Sequence, residues 1–156
     1  MNGWGRFFQL ALLAFALAGC GASDLGVDQR GQAVSAESLR GQWLVINYWA
    51  EWCGPCRREI PELNALAQQL DGQGVRILGV NFDALQGAPL GKATEQMGIE
   101  FTVLAQNPAQ HFGLPPSRVL PATFIVDGQG RLREQLHGEQ TAAGLVARLQ
   151  ALRGQP

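Results

Sequence analysis

The chain has 156 residues, 46% of them hydrophobic and 16% charged, with a formal net charge of −1. That length suits one domain with an ordinary core, burying roughly two-thirds of its unfolded surface. No basic run or stripe is present, which argues against nucleic acid as a partner.

The first 20 residues carry a single charge, Arg6, followed by an apolar stretch from Phe7 to Leu17 broken only by Gln9. A charged start, a short apolar core and small residues before a cut site make a secretory signal over residues 1–19, too short for a good membrane span. The stretch ends at Leu17-Ala18-Gly19-Cys20, which resembles the bacterial lipobox. That resemblance implies a lipid on the Cys20 sulfur, and an ordinary signal peptide with an incidental cysteine is the alternative. The mature chain from Cys20 to Pro156 then has 137 residues and a formal charge of −2, because Arg6 is lost. With no second long apolar segment, the lipid is the expected anchor. Two or more acyl chains at about 0.8 kcal/mol per buried methylene hold a small domain firmly. Gly21 favours the outer membrane wherever lipoproteins are sorted by the residue after the lipidated cysteine.

Gly21 to Gln32 is rich in Gly, Asp and Gln and reads as a tether, so residues 20–32 are assigned to the anchor and 33–153 to the folded domain. Ala33 to Ser35 is a candidate edge strand, followed by a turn ending at Gly41. Trp43 to Trp49 is nearly continuous in apolar residues and predicts a buried central strand. Ile60, Leu63, Leu66 and Leu70 fall at the spacing of an amphipathic helix over about 54–70. Asp71 to Gly74 breaks it, and Val75 to Val80 predicts a second core strand. A helix over 89–97, a strand over 101–104 and a helical turn from Pro108 to Phe112 follow. Thr123 to Val126, the turn 127–130 and Arg131 to Leu136 predict a hairpin. Ala142, Leu145, Val146, Leu149 and Leu152 mark a closing helix. The alternation predicts an α/β domain with a mixed sheet.

Between central strand and first long helix lies Trp52-Cys53-Gly54-Pro55-Cys56. Cys53 is thereby placed at a helix amino terminus, where unpaired amides and the positive dipole end favour thiolate over thiol. Cys56 faces it one turn on. With Cys20 lipidated, the remaining cysteines form an even pair, as a redox site in an exported protein requires. A zinc site would need two more ligands, and His111 and His137 lie 26 positions apart without finger or knuckle spacing. No metal and no cofactor is expected.

At this point the chain resembles the thioredoxin superfamily, and within it the TlpA-like, ResA-like extracytoplasmic reductases, over about residues 31–153. The string Ala50-Glu51-Trp52-Cys53-Gly54-Pro55-Cys56 is close to the thioredoxin active site. Pro61 falls where that family kinks its active-site helix, and Leu120-Pro121-Ala122-Thr123-Phe124 resembles its cis-proline loop. Asp83 to His111 looks like the helix–strand insertion that distinguishes TlpA-like proteins. The resemblance implies a thioredoxin fold with that insertion.

It also implies roles. Cys53 is the expected nucleophile and Cys56 the resolving thiol, with Gly54 and Pro55 tuning the pair. The resemblance makes Glu59, three residues after Cys56, an aid to proton transfer, with a raised pKa if partly buried. A solvated surface charge beside Arg57 and Arg58 is the competing reading. Asn47 stands where thioredoxin has an aspartate and cannot titrate. The resemblance makes the Leu120–Pro121 bond cis, offering the Leu120 backbone to an extended substrate, while Trp52 supplies apolar docking surface. Trp49 and Tyr48 are expected in the core and His137 at the surface.

The implied activity is a tethered thiol–disulfide oxidoreductase of the cell envelope, facing the periplasm. Its expected partners are disulfide-containing extracytoplasmic proteins, a membrane thiol electron donor, and the lipid membrane through Cys20. Apocytochrome c and copper-site assembly proteins are substrates in the family. An oxidase or isomerase would use the same residues. A copper-binding assembly factor is the reading from another class, with His137 as third ligand, but copper proteins of this fold space their cysteines more widely. A thiol peroxidase is disfavoured because Ala50 occupies the position of the peroxiredoxin threonine.

Overall fold

A computed structural model describes residues 25–154, so the signal segment and Cys20 lie outside the described residues. The elements are α1 (Ala36–Leu39), β1 (Trp43–Trp49), α2 (Gly54–Gln69), β2 (Val75–Asn81) and α3 (Gly87–Gln96). They continue with β3 (Thr102–Leu104), α4 (Ala109–Phe112), β4 (Ala122–Val126), β5 (Leu132–His137) and α5 (Ala142–Arg153). The strands form one mixed sheet in the order β3-β2-β1-β4-β5. β1 and β3 run parallel to β2, whereas β4 is antiparallel to both β1 and β5.

β1 is apolar but for Asn47, as suits a strand paired on both edges and covered on both faces. Val45 and Trp49 turn to one face, into a core shared with Ile60, Leu63 and Leu66 of α2, Leu90 of α3, and Leu145 and Leu149 of α5. Leu44, Ile46 and Tyr48 turn to the other, against Leu39, Phe112 and Leu114. Full burial of each such Leu or Ile contributes about 1.5–3 kcal/mol. Gly79 in β2 permits a close approach in this core. A Cβ there would stand 3.0–3.1 Å from Val103, Phe101 and the Trp49 indole.

The described amino terminus departs from expectation. Residues 25–32 are packed against the domain: Leu25 and Asp28 are buried, and Val27 and Asp28 form bridges to Ala33 and Leu104. Tether composition misled here because the backbone of Val27 and Gln29, together with the Gln29 side chain, does the pairing. The Gln29 side-chain amide donates to Phe101 O at 3.1 Å and accepts from Val103 N at 2.8 Å, as a neighbouring strand would. The free edge of β3 is thereby closed. Ala33 contributes one bridge and no sheet strand, and a single helical turn, α1, capped by Ser35, replaces much of the expected turn before Gly41. The remaining elements match expectation within two or three residues.

Candidate active site

β1 delivers the chain to Ala50, and a turn through Glu51 and Trp52 brings Cys53 to the N-cap of α2. The Cys53 amide donates to Ala50 O and the Cys53 sulfur accepts from the Cys56 amide, both at 3.2 Å. Pro55 sits in the first turn, where no backbone donor is required. Gly54 is exposed and Pro55 half-buried beside it. The two cysteines are joined in a disulfide. Cys53 retains 4% exposure and Cys56 none, so Cys53 is the sulfur an outside thiolate can approach.

Glu59 is fully buried, which overturns the surface-charge reading. Its neighbours take the surface partners instead: Arg58 pairs with Glu139, and Arg57 Nε donates to Glu51 O. Glu59 Oε2 accepts from Asn47 Nδ2 at 3.0 Å, and Oε1 accepts from Gln140 N at 3.0 Å. Burial pushes its pKa up from 4.5 to about 7; the two hydrogen bonds oppose the rise and the nearby Glu139 adds to it. Asn47 Nδ2 also donates to Thr123 Oγ1 at 3.0 Å. A carboxyl that changes charge near neutrality thus sits one helical turn beyond Cys56, on the same face of α2.

Asn47 gives a first prediction. Its amide favours the ionised carboxylate, and a hydrogen bond to a charged group is worth about 1.5–3 kcal/mol. Asn47→Ala should therefore raise the Glu59 pKa by about one unit or more. Carboxyl NMR of the protein labelled at glutamate measures it, and an unchanged or lower midpoint contradicts the assignment.

The Leu120–Pro121 bond is cis. Tyr48 pairs with Ala122, so this loop and the active-site turn emerge at the same end of the sheet. Pro121 O is taken by Gly138 N at 2.9 Å. Leu120 packs on the core cluster that contains both cysteines. Trp52 is 66% exposed. Its Nε1 donates to Asp83 Oδ2 at 2.9 Å, and its ring meets Phe82 edge-on at 6.1 Å. Phe82, Asp83, Val119 and Thr123 were not assigned to the site from sequence. The available signal for Phe82 and Asp83 was their place directly after β2, the strand beside β1. Of the histidines, His111 meets the Phe112 ring edge-on in α4, and His137 is exposed on β5 opposite Ala122.

The AhpC/TSA family model matches residues 13–135. Among curated proteins, the thiol-disulfide oxidoreductase ResA of Bacillus thuringiensis is 30% identical over 125 residues, 80% of this chain and 72% of that protein. The thiol:disulfide interchange protein HelX of Rhodobacter capsulatus is 34% identical over 118 residues, 75% of this chain and 64% of its own length. Among solved structures, a thioredoxin-family thiol:disulfide interchange protein from Chlorobium tepidum superposes with a TM-score of 0.70 at 25% identity, covering 83% of this chain and 92% of that one. A DsbF homologue from Corynebacterium diphtheriae gives 0.69 at 25% identity, covering 81% and 82%.

Proposed function

The chain belongs to the AhpC/TSA family, within the thioredoxin superfamily, and is a thiol–disulfide oxidoreductase; from that premise we propose that it works as a reductase of extracytoplasmic protein disulfides, held to the membrane by a lipid on Cys20. The observation that carries this reading is the Cys53-Gly54-Pro55-Cys56 pair at the amino end of α2, with buried Glu59 one turn further on. Reduced Cys53, as a thiolate favoured by the helix amides, attacks a substrate disulfide and forms a mixed disulfide. Cys56 then attacks Cys53, releasing reduced substrate and restoring the internal disulfide. Glu59 accepts the Cys56 proton during that second step, which its pKa near neutrality suits. Trp52 and the Leu120 backbone flank the approach, and Pro121 holds Leu120 there. Substrates are exported proteins whose cysteines must stay reduced, such as those receiving haem or a metal. An envelope compartment is oxidising, so electrons come from a thiol carrier in the membrane. The Gly21 after Cys20 favours the outer membrane as the site of anchoring.

The test is the potential of the Cys53–Cys56 couple, equilibrated against glutathione. Thioredoxin lies near about −270 mV and the oxidant DsbA near about −120 mV, a gap of roughly 7 kcal/mol for two electrons. The expected value is nearer thioredoxin. A potential above about −150 mV makes the protein an oxidant.

A further inference from the structure

The carboxyl end of the sheet carries a cavity on the face turned away from α2. Tyr48, Val80 and Leu104 stand in one row there, because Tyr48 pairs with Val80 and Val80 with Leu104. All three belong to the core cluster opposite the one that holds the cysteines. With Phe82, Ala109 and Pro116 they line a cavity of about 340 Å³. Ligand pockets run from about 300 to 1,000 Å³, so this one suits a single large side chain rather than a cofactor.

Among the described residues, no Asp, Glu, Lys, Arg or His lines the cavity. Tyr48 is buried and donates its hydroxyl to Asn107 Oδ1 at 2.7 Å. No described group donates to the phenolic oxygen in return, which leaves it free to accept from an N–H of whatever enters. Burial pushes the Tyr48 pKa up to about 12, so this group adds no charge near neutrality. A charged side chain entering such a site loses its hydration and meets no counter-charge. An apolar or aromatic side chain gains by the same burial.

Two features tie the cavity to the disulfide. Phe82 lines it and also meets the Trp52 ring edge-on at 6.1 Å, so one aromatic ring stands between the cavity and the residue before Cys53. On the other side, the wall at Pro116 and Ser117 continues along the chain through Val119 to Leu120 and cis Pro121. Phe82 is 44% exposed and Val119 55%, so both links leave apolar surface open to a partner.

We propose that this cavity is a specificity subsite for the protein whose disulfide is exchanged, and that it takes a large uncharged apolar or aromatic side chain two to four residues from the attacked cysteine. The inference rests on the reading that the chain acts on protein disulfides. Two to four extended residues span about 7–14 Å, enough to carry a substrate segment from Cys53 past Trp52 and over Phe82. The segment's cysteine is then held beside Cys53 by a contact on the sheet face opposite Glu59, so recognition and proton transfer use separate sides of the sheet.

The experiment uses the full chain, reduced and freed of reductant, against short peptides whose single cysteine carries a coloured thionitrobenzoate group. The Cys53 thiolate attacks the peptide sulfur, the thionitrobenzoate leaves with the electron pair of the broken bond, and its absorbance gives the rate. Cys56 then attacks Cys53 and releases the reduced peptide. Phe or Leu is placed in turn at the second, third and fourth positions on either side of the cysteine. At one of these positions or more, Phe and Leu should react about tenfold faster than Ala, and Glu no faster than Ala. Ala109→Trp fills the cavity and should bring the Phe, Leu and Ala peptides to one rate. Because that change also falls on α4, a second measurement reads the site in the unfilled protein. In the mixed disulfide trapped by Cys56→Ser, the Phe peptide should shift the methyl NMR signals of Val80 and Leu104, and the Ala peptide should not. Equal rates for all four residues at every position, a preference that survives in folded Ala109→Trp, or unmoved methyl signals each overturn the subsite. The preference does not depend on the direction of electron flow. An oxidising potential of the cysteine pair therefore removes the reductase reading alone, and equal peptide rates remove the subsite alone.

Discussion

Cys53→Ser should reduce disulfide exchange to the uncatalysed background, while Cys56→Ser should leave the first attack intact and accumulate a mixed disulfide, one partner per chain. Exchange needs a thiolate within reach of the incoming sulfur. Both cysteines belong to the core cluster with Ile60 and Leu63, but Cys53, at the N-cap of α2, keeps 4% exposure whereas Cys56 has none. Cys56 therefore cannot replace Cys53 as nucleophile, although it is well placed to resolve. Fold loss does not confound the comparison. The disulfide closes a loop between residues three apart, for which chain entropy gives a contribution of only about 2 kcal/mol. Insulin reduction with a thiol donor measures the first effect, and mass spectrometry of the trapped species the second. Appreciable turnover by Cys53→Ser would reverse the roles of the two cysteines.

Glu59→Gln should change both the rate and the pH dependence of stability. The native carboxyl titrates at about 7 in the folded protein against 4.5 for an ordinary one. Because the folded value is the higher, the folded state retains a proton that the unfolded chain has released between those two values. The stability from this group is thus complete below the lower value and is lost as pH rises through the window. At about 1.36 kcal/mol per pH unit, the loss totals about 3 kcal/mol. Gln cannot ionise, so unfolding of the variant in denaturant should lack this slope. The variant should be the more stable one above neutrality, less about 1 kcal/mol for a poorer hydrogen bond at one of the two carboxylate positions. Resolution by Cys56 should slow by about a hundredfold or more, because its buried thiol loses the nearby base. If stopped-flow exchange is unchanged from about pH 5 to pH 9, Glu59 takes no part in proton transfer, whatever the stability shows.

The chemistry was readable from local sequence because its requirements are local. The thiols needed a strand's end, a helix amino terminus and a spacing of one turn, and Trp43 to Leu70 encodes all three contiguously. The apolar run of β1 likewise announced a strand buried on both faces. Glu59 was undecided in sequence, since a carboxylate beside two arginines suits an exposed helix face equally well. Only packing settled its burial: α5 and the loop before it cover α2, and Asn47 and Gln140, 12 and 81 positions away in the chain, supply the hydrogen bonds. Phe82 reaches Trp52 only because β2 pairs in register beside β1, with Asn81 opposite Trp49. Segment 25–32 was misread for a related reason. Its composition is that of a solvated linker, yet the unpaired edge of β3 offers backbone groups that Val27 O, Gln29 N and the Gln29 side chain satisfy. Local patterns recorded which residues could react. The pairing of distant strand edges, a cooperative property of the whole sheet, decided which carboxylate was buried, which aromatic rings met, and how segment 25–32 closes the sheet.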